Sequence, residues 1–348
     1  MTLVSKVGLQ REMTKSEVKD FAHAFFSASA NFISEDLKTF TISLGDKDVQ
    51  VSVNQSDNLS AHIFDALIPS VFGGVDFTLE IWRTGKRSVL PNLEWARNYL
   101  AHDNLVPHSL TAPYRVAFDK SQGFIYLYDT QTQKAAIWIA EDSKISLNSF
   151  VTPFRIIFSW MAEDFGGEIV HASAISKDGN GIIINGVSGS GKSTLAILCV
   201  LNGFEIIADD VVLFHDGLIS AVYKYAKIDP RTSPLDLSHI RLFQMESSPE
   251  AKNILDLTQF GEQFVLRAQA IALILPIFVH LNQHALISPS IAIKLLAPNS
   301  LRELMGGSPY NFKNLVNLTR ALPNYRIALS TDNKRNIDSI NAIFSELI

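Results

Sequence analysis

The sequence has one cysteine in 348 residues, no surplus of positive charge and no long apolar run. The single cysteine, Cys199, cannot form an internal disulfide, which fits a reducing compartment, and its apolar helical surroundings predict a small buried residue. Lys and Arg total 30 against 35 Asp and Glu, without a dense basic segment, so no nucleic-acid-binding surface is indicated. The apolar run near residues 271–279 contains Pro276 and is too short to span a bilayer, and residues 1–6 lack an apolar signal region. We therefore expect a cytoplasmic protein with neither nucleic acid nor membrane as a partner.

Length and composition favour two domains, because 47% hydrophobic residues can form a core in each. Residues 39–44 and 49–53 alternate on either side of a polar turn and predict a hairpin. Polar turns also separate further strand-like segments, which predict an antiparallel meander: 77–82, 114–118, 123–128 and 134–139. We predict an N-terminal α+β lobe over residues 1–150, with substrate binding as a candidate role, and a second domain over residues 151–348.

The second domain begins with a helical pattern over residues 154–162. Strands over residues 168–176 and 181–185 are joined by a turn so short that they must form a hairpin. A helix over residues 194–202 follows the second of these strands. The remaining predicted elements are strands over 204–214, 218–223, 270–276, 291–296 and 325–329, and a helix over 337–344.

Residues 186–193, GVSGSGKS, match the phosphate-binding pattern G-x-x-x-x-G-K-[ST] at every fixed position. The glycines allow successive backbone N–H groups to turn toward phosphate oxygens, Lys192 can reach the β- and γ-phosphates, and Ser193 can offer its hydroxyl to Mg²⁺. A strand before the loop and a helix after it would place the phosphates at a helix N-terminus. The predicted nucleotide-binding residues are Gly186, Ser188, Gly189, Ser190, Gly191, Lys192, Ser193 and Thr194. An accidental match in a Gly/Ser-rich loop is the alternative.

Two adjacent acids, Asp209 and Asp210, are candidates for chemistry at this loop. They begin 17 residues after Lys192, which leaves room for one helix and a return strand. Neighbouring strand residues face opposite sides, so one carboxylate would point at the reacting phosphate and the other at metal or a nearby loop. Apolar residues on both sides predict that the pair is buried and needs partners, whereas a solvated strand end is the alternative. His171, on the strand paired with the one entering the loop, can approach the γ-phosphate; a packed core histidine is the alternative.

Three segments together resemble the HPr kinase/phosphorylase family and its wider group of HPr kinase-like proteins: His171-Ala172-Ser173, the loop 186–193 and GFEIIADD at 203–210. The resemblance implies an α/β and α+β fold, with a P-loop kinase core of the HPr kinase and phosphoenolpyruvate carboxykinase type built on a mixed sheet. It also implies ATP and Mg²⁺ as cofactors and transfer of the γ-phosphate to a serine hydroxyl. By the same resemblance Asp209 is the general base, Asp210 and Ser193 assist with the metal, and Lys192 and His171 lie near the transferred phosphate.

The sequence departs from that family in two places. Thr194 stands where the family commonly has Glu, and KYAKIDPR at 224–231 replaces a glycine-rich segment linked to the phosphorylase reaction and to binding HPr. We therefore expect an acceptor serine on another peptide or protein, as in HPr kinase-like proteins that resemble lasso-peptide kinases. A small-molecule alcohol acceptor, and an ATPase or regulatory module without an acceptor, are the alternatives. Lys224, Lys227 and Arg231 are candidates to add positive charge near the transferring group, or else solvated surface residues. The family further implies a homo-oligomer.

Overall fold

The computed structural model describes residues 14–33, 37–54, 64–84, 104–106, 108–141, 143, 145–229, 235–244, 252–277, 284–303 and 309–348. The helices are α1 Lys15–Ile33, α2 His108–Thr111, α3 Leu147–Val151, α4 Arg155–Asp164, α5 Lys192–Val200, α6 Pro289–Glu303, α7 Pro309–Ala321 and α8 Asn333–Leu347, with a 3-10 helix at Leu257–Gln263. The strands are β1 Leu37–Leu44, β2 Lys47–Asn54, β3 Phe77–Thr84, β4 Asn104–Leu105, β5 Tyr114–Asp119, β6 Phe124–Asp129, β7 Lys134–Ala140, β8 Glu168–Val170, β9 Ser173–Lys177, β10 Asn180–Ile184, β11 Glu205–Ala208, β12 Val212–His215, β13 Leu218–Ala221, β14 Tyr225–Ile228, β15 Leu242–Phe243, β16 Asn253–Asp256, β17 Arg267–Ile277, β18 His284–Ile287 and β19 Asn324–Ala328. Together they form a mixed α/β fold.

The first sheet has the strand order β1-β2-β3-β7-β6-β5-β4. The predicted hairpin of β1 and β2 and the meander of β5, β6 and β7 are confirmed. The prediction that β3 belongs to the antiparallel meander is wrong, because β3 pairs in parallel with both β2 and β7. The long connections from β2 to β3 and from β3 to β7 make these pairings possible, since parallel strands need a long crossover and not a tight turn.

Both faces of the first sheet are covered. Along β6, Ile125 and Leu127 pack on the same side as α1, while Tyr126 and Tyr128 pack on the side of α4. This alternation is the two-residue period of a strand with apolar residues on both faces. Helix α4 is therefore sandwiched between the first sheet and the elements that follow it.

The core around α4 draws residues from both predicted domains. Phe158 and Met161 of α4 share one apolar cluster with Val51 of β2 and with Leu213 of β12. Tyr223 forms an isolated antiparallel bridge with Leu67, which lies before β3. Residues on both sides of the predicted boundary at 150/151 thus pack together, and the division into two domains stays a prediction.

The second sheet has the order β11-β9-β10-β17-β13-β12-β8, and β19 joins it by pairing with β17 and β18. The hairpin of β9 and β10 is confirmed, and β10 also pairs in parallel with β17, so the sheet is mixed. Helices α5 and α8 pack against one of its faces, and α6 and α7 pack against the other. The thiol of Cys199 is buried in α5, as predicted, and burial raises its pKa.

Two predicted strands of the second domain are broken. The segment 168–176 divides into β8 and β9 at residues 171–172, and the segment 204–214 divides into β11 and β12 at residues 209–211. The two halves pair with different neighbours: β8 with β12, and β9 with β10 and β11. Each break therefore moves the chain from one part of the sheet to another. The candidate residues His171, Asp209 and Asp210 lie at these two breaks.

The prediction of a strand over residues 291–296 is wrong, because these residues belong to α6. The apolar run is too short for its periodicity to separate a strand from a buried helix. Pro289 at the first position of α6 was the informative signal, since proline is favoured there. Among the helices of the described residues, none is both long enough and apolar enough to cross a membrane.

Candidate active site

The loop between β10 and α5 has the backbone that its glycines permit. Gly189 and Gly191 have φ values of 78° and 91°, in the left-handed region that favours glycine. A Cβ added at Gly186 would lie 2.7 Å from Ser190 Oγ. Helix α5 begins with the hydrogen bond that Leu195 N donates to Gly191 O at 2.8 Å. The predicted order of strand, glycine loop and helix is therefore present at residues 180–200.

Lys192 folds back over this loop. Its side chain is buried, with 7% of the residue exposed, and its Nζ donates to Gly186 O at 2.9 Å and to Val187 O at 3.3 Å. The two carbonyl groups hold the ammonium against the loop. Ser193 and Thr194 follow in the first turn of α5, where both are half-buried.

Two buried polar groups beside the lysine have no hydrogen-bond partner among the described residues. One is Ser190 Oγ, and the other is Nδ2 of Asn185, whose Oδ1 accepts a bond from Gly186 N at 2.6 Å. Buried donors are normally satisfied, and each one left without a partner calls for a specific explanation. An anionic ligand at the N-terminus of α5 would accept from them, so the loop residues fit a phosphate group.

The strand order brings the two aspartates to the same edge of the sheet as the loop. Strand β9 is antiparallel to both β10 and β11, so β10 and β11 run in the same direction and end at the same edge. One strand lies between them, which separates their backbones by about 10 Å. Asp209 directly follows β11, as the loop follows β10.

Asp209 is almost fully buried, at 1% exposed, and is held by uncharged donors. Ser173 Oγ donates to its Oδ1 at 2.5 Å, and the backbone N of Lys227 donates to its Oδ2 at 3.3 Å. Ser173 is the first residue of β9 and pairs with Ile184, the last residue of β10. The serine therefore lies between the ends of the two strands that carry the loop and the acids.

Asp210 is held by charged partners. Lys227 Nζ lies 2.8 Å from its Oδ2, and His171 Nδ1 lies 3.3 Å from its Oδ1. Burial by itself would raise the pKa of Asp210, but the charges of Lys227, His171 and Arg155 outweigh burial and hold that pKa well below its usual range. The backbone of Asp210 has a φ of 70°, and Val211 N donates to Asp209 O at 2.9 Å, which makes a tight turn. This turn, and not the predicted alternation along a strand, directs the two carboxylates to different partners. Their separate roles stay a prediction.

The structure places His171 differently from the prediction. It lies at the break between β8 and β9, and not within the strand that pairs with β10. At that break it reaches the second acid and is buried. Its proximity to a transferred phosphate stays a prediction.

Sequence reasoning did not assign roles to Ser173 or Asn148, and it left Lys227 undecided. Lys227 Nζ lies 2.6 Å from Asn148 Oδ1 and also pairs with Asp210 Oδ2. The sequence held a signal for Ser173, because it places a hydroxyl group in an apolar strand, within the segment 171–173 that carries the family resemblance. Asn148 had none, because it stands 79 residues before Lys227 and comes from α3. Arg231 lies outside the described residues.

Within the part of the chain that the structure describes, no cluster of three or more His, Cys, Asp or Glu side chains could hold a metal ion. The oxygen donors of Ser193 and Asp210 nevertheless suit Mg²⁺, which is commonly held by one or two protein groups together with substrate phosphates and water. An ionised carboxylate at position 210 fits that role. The residues present therefore fit a magnesium–nucleotide complex.

Sequence comparisons with known protein families and with curated proteins found no match. Among solved structures, the chain is similar to the Hpr(Ser) kinase/phosphatase from Coxiella burnetii, with 12% sequence identity and a TM-score of 0.28. The similar part covers 51% of this chain and 99% of that chain. Membership of the family inferred from the motifs stays a prediction.

Proposed function

We propose that this protein is an ATP-dependent kinase that transfers the γ-phosphate to a hydroxyl group, with a serine of a peptide or protein as the acceptor. One observation carries the proposal: the 186–193 loop with its buried lysine and the buried carboxylate of Asp209 lie at one edge of one sheet. A phosphate grip beside a buried base is the arrangement that phosphoryl transfer to an alcohol needs.

In this proposal the loop positions the phosphates. Its backbone N–H groups, including those at the N-terminus of α5, would donate hydrogen bonds to phosphate oxygens. Lys192 would exchange its loop carbonyl partners for phosphate oxygens. Bound Mg²⁺, held by Ser193 and Asp210, would supply further charge neutralisation. Thr194, in the same half-buried turn, completes the predicted nucleotide-binding set.

Asp209 is the better base of the two acids. Asp210 is neutralised by an ion pair with Lys227, and its lowered pKa makes it a weak proton acceptor. Among the described residues, the donors to Asp209 are both uncharged, a serine hydroxyl and a backbone N–H. Its carboxylate therefore keeps more capacity to take the proton of an incoming hydroxyl as the oxygen attacks the phosphorus.

The test separates nucleotide binding from transfer. Binding is measured by fluorescence with N-methylanthraniloyl-ATP, and transfer with γ-labelled ATP against a serine peptide library and a set of small alcohols. We expect Lys192→Ala to remove binding, and Asp209→Asn to keep binding while transfer is lost. Glu205→Gln is the matched control, because Glu205 accepts from Ser176 Oγ on the same two strands, away from the loop.

Each alternative has its own result in this test. If the label appears on small alcohols and on no peptide, the acceptor is a small-molecule alcohol and not a serine of a peptide. Release of inorganic phosphate without a labelled acceptor would favour an ATPase or regulatory module. Normal transfer by Asp209→Asn would overturn the assigned base.

A further inference from the structure

Lys227 joins both aspartates to a helix in the N-terminal half of the chain. Its Nζ lies 2.8 Å from Asp210 Oδ2 and 2.6 Å from Asn148 Oδ1, and its backbone N donates to Asp209 Oδ2. Only 12% of the side chain is exposed. A flexible surface lysine would not keep this geometry, so the residue is part of the site.

The ammonium of Lys227 forms an ion pair with Asp210, the carboxylate that the proposed function assigns to the metal. Asp210 has two oxygens: Oδ2 pairs with Lys227, and Oδ1 faces His171. A divalent ion that approaches this carboxylate meets a positive charge already in place. The two cations repel each other and compete for the same oxygen.

Asn148 is a second partner for the ammonium of Lys227. Its amide oxygen already accepts from Lys227 Nζ, and it belongs to α3, whose first turn is capped by the side chain of Ser146. The lysine can therefore leave Asp210 without losing every hydrogen bond. Leaving a buried ammonium with no acceptor would be far more costly.

We propose that Lys227 is a built-in counter-cation that competes with the divalent metal for Asp210, and that Asn148 holds its ammonium when the metal–nucleotide complex enters. This inference rests on the proposed function, because it requires a nucleotide site that uses Asp210. It makes the metal affinity of the site depend on a residue of α3.

The test measures metal affinity directly and does not depend on turnover. Free Mn²⁺ is counted by electron paramagnetic resonance as it is titrated into the full chain with saturating ADP, and ADP binding is measured separately by calorimetry. We expect Lys227→Met to tighten Mn²⁺ binding by about tenfold, a usual size for coupling between two ligands. Asn148→Ala should weaken Mn²⁺ binding severalfold, because the ammonium then has only Asp210. Lys177→Met is the matched control, since it removes the same charge from an exposed lysine at the end of β9 away from the loop, where the ammonium lies over the ring of Phe204.

Opposite signs for the Lys227 and Asn148 variants separate competition from a general loss of structure, which would weaken binding in both. The effect of Lys227→Met should also vanish in an Asp210→Asn background. If Lys227→Met does not fold, Lys227→Gln replaces it, with the same expected direction. ADP binding with unchanged or weaker Mn²⁺ affinity in the folded Lys227 variant would overturn this inference alone. Failure of the unmodified chain to bind ADP would overturn the proposed function as well.

Discussion

The hydroxyl of Ser173 donates a hydrogen bond of 2.5 Å to Asp209 Oδ1. This bond joins the first residue of β9 to the residue that follows β11. Because the backbone of Ser173 also pairs with Ile184 at the end of β10, a single residue links the strand that enters the glycine loop to the acid proposed as the base. The same strand carries a second bond of this type, from Ser176 Oγ to Glu205 Oε2 at 2.6 Å.

Ser173→Ala should impair transfer and spare nucleotide binding. Without the hydroxyl, Asp209 loses its shortest hydrogen bond and its fixed orientation, and we expect turnover to fall by about tenfold to a hundredfold. Ser176→Ala, on the same strand, removes an equivalent bond to a carboxylate away from the loop. Both variants should lose about 1–3 kcal/mol of unfolding free energy. Equal turnover in the two variants would contradict the orienting role of Ser173.

Gly189→Ala should weaken Mg-ATP binding through backbone conformation alone. An added Cβ at Gly189 would meet nothing within 4 Å, but the φ of 78° is unfavourable for alanine and costs about 1 kcal/mol. Gly179, in the turn between β9 and β10, has the same φ and the same open space. Both substitutions should lower the urea midpoint equally, and only Gly189→Ala should lower the affinity for N-methylanthraniloyl-ATP. A matching loss of affinity in Gly179→Ala would show that the effect is not local to the loop.

Glu168 makes stability depend on pH. Burial raises the pKa of this β8 side chain to about 7, although a hydrogen bond with Asn317 opposes the shift. The ordinary glutamate pKa of 4.5 describes the unfolded chain. Between these two pH values the unfolded chain releases the proton while the folded chain keeps it, so the contribution of Glu168 to stability falls as pH rises through that window.

Glu168→Gln removes this titration. We expect the difference in Tm between Glu168→Gln and the unmodified protein to be more positive at pH 8 than at pH 4.5, as measured by differential scanning fluorimetry. The control is Glu262→Gln, which makes the same substitution at an exposed glutamate of the 3-10 helix. A pH-independent difference for Glu168→Gln would contradict the role of burial.

Arg115→Met should destabilise the contact between the first sheet and α4. Arg115 of β5 forms a largely buried ion pair with Glu163 of α4, and its removal leaves the carboxylate without its cation. Breaking a buried pair from one side costs about 3 kcal/mol. Urea unfolding should recover in part in the Arg115→Met/Glu163→Gln double variant, because Asp164 Oδ1, which lies 3.7 Å from Arg115 Nη2, also loses this cation. Lys134→Met is the control, because its pair with Glu80 is more exposed and should contribute less than about 1 kcal/mol. A single variant no less stable than this control would contradict the prediction.

Local patterns predicted the parts of the fold that short segments determine. The hairpin of β1 and β2 and that of β9 and β10 follow from alternation around short turns, and α5 follows from the glycine loop before it. Partners distant along the chain were not predictable. The parallel pairing of β3 depends on a crossover. The change of sheet position at residues 171–172 and 209–211 depends on which strands are the hydrogen-bonding neighbours of β8, β9, β11 and β12.

The sequence by itself determined that residues 186–191 form a glycine loop that leads into a helix starting at Lys192, because left-handed backbone angles and a helix start are local properties of those residues. It also determined that Asp209 and Asp210 would be buried, since apolar residues flank them. Only the tertiary structure decided that Ser173 donates to Asp209 and that Lys227 and His171 lie against Asp210. It also decided that Asn148 accepts a hydrogen bond from Lys227. The physical reason is that a hydrogen bond or an ion pair depends on distance in space, and these partners come from chain segments that only sheet pairing and packing bring together.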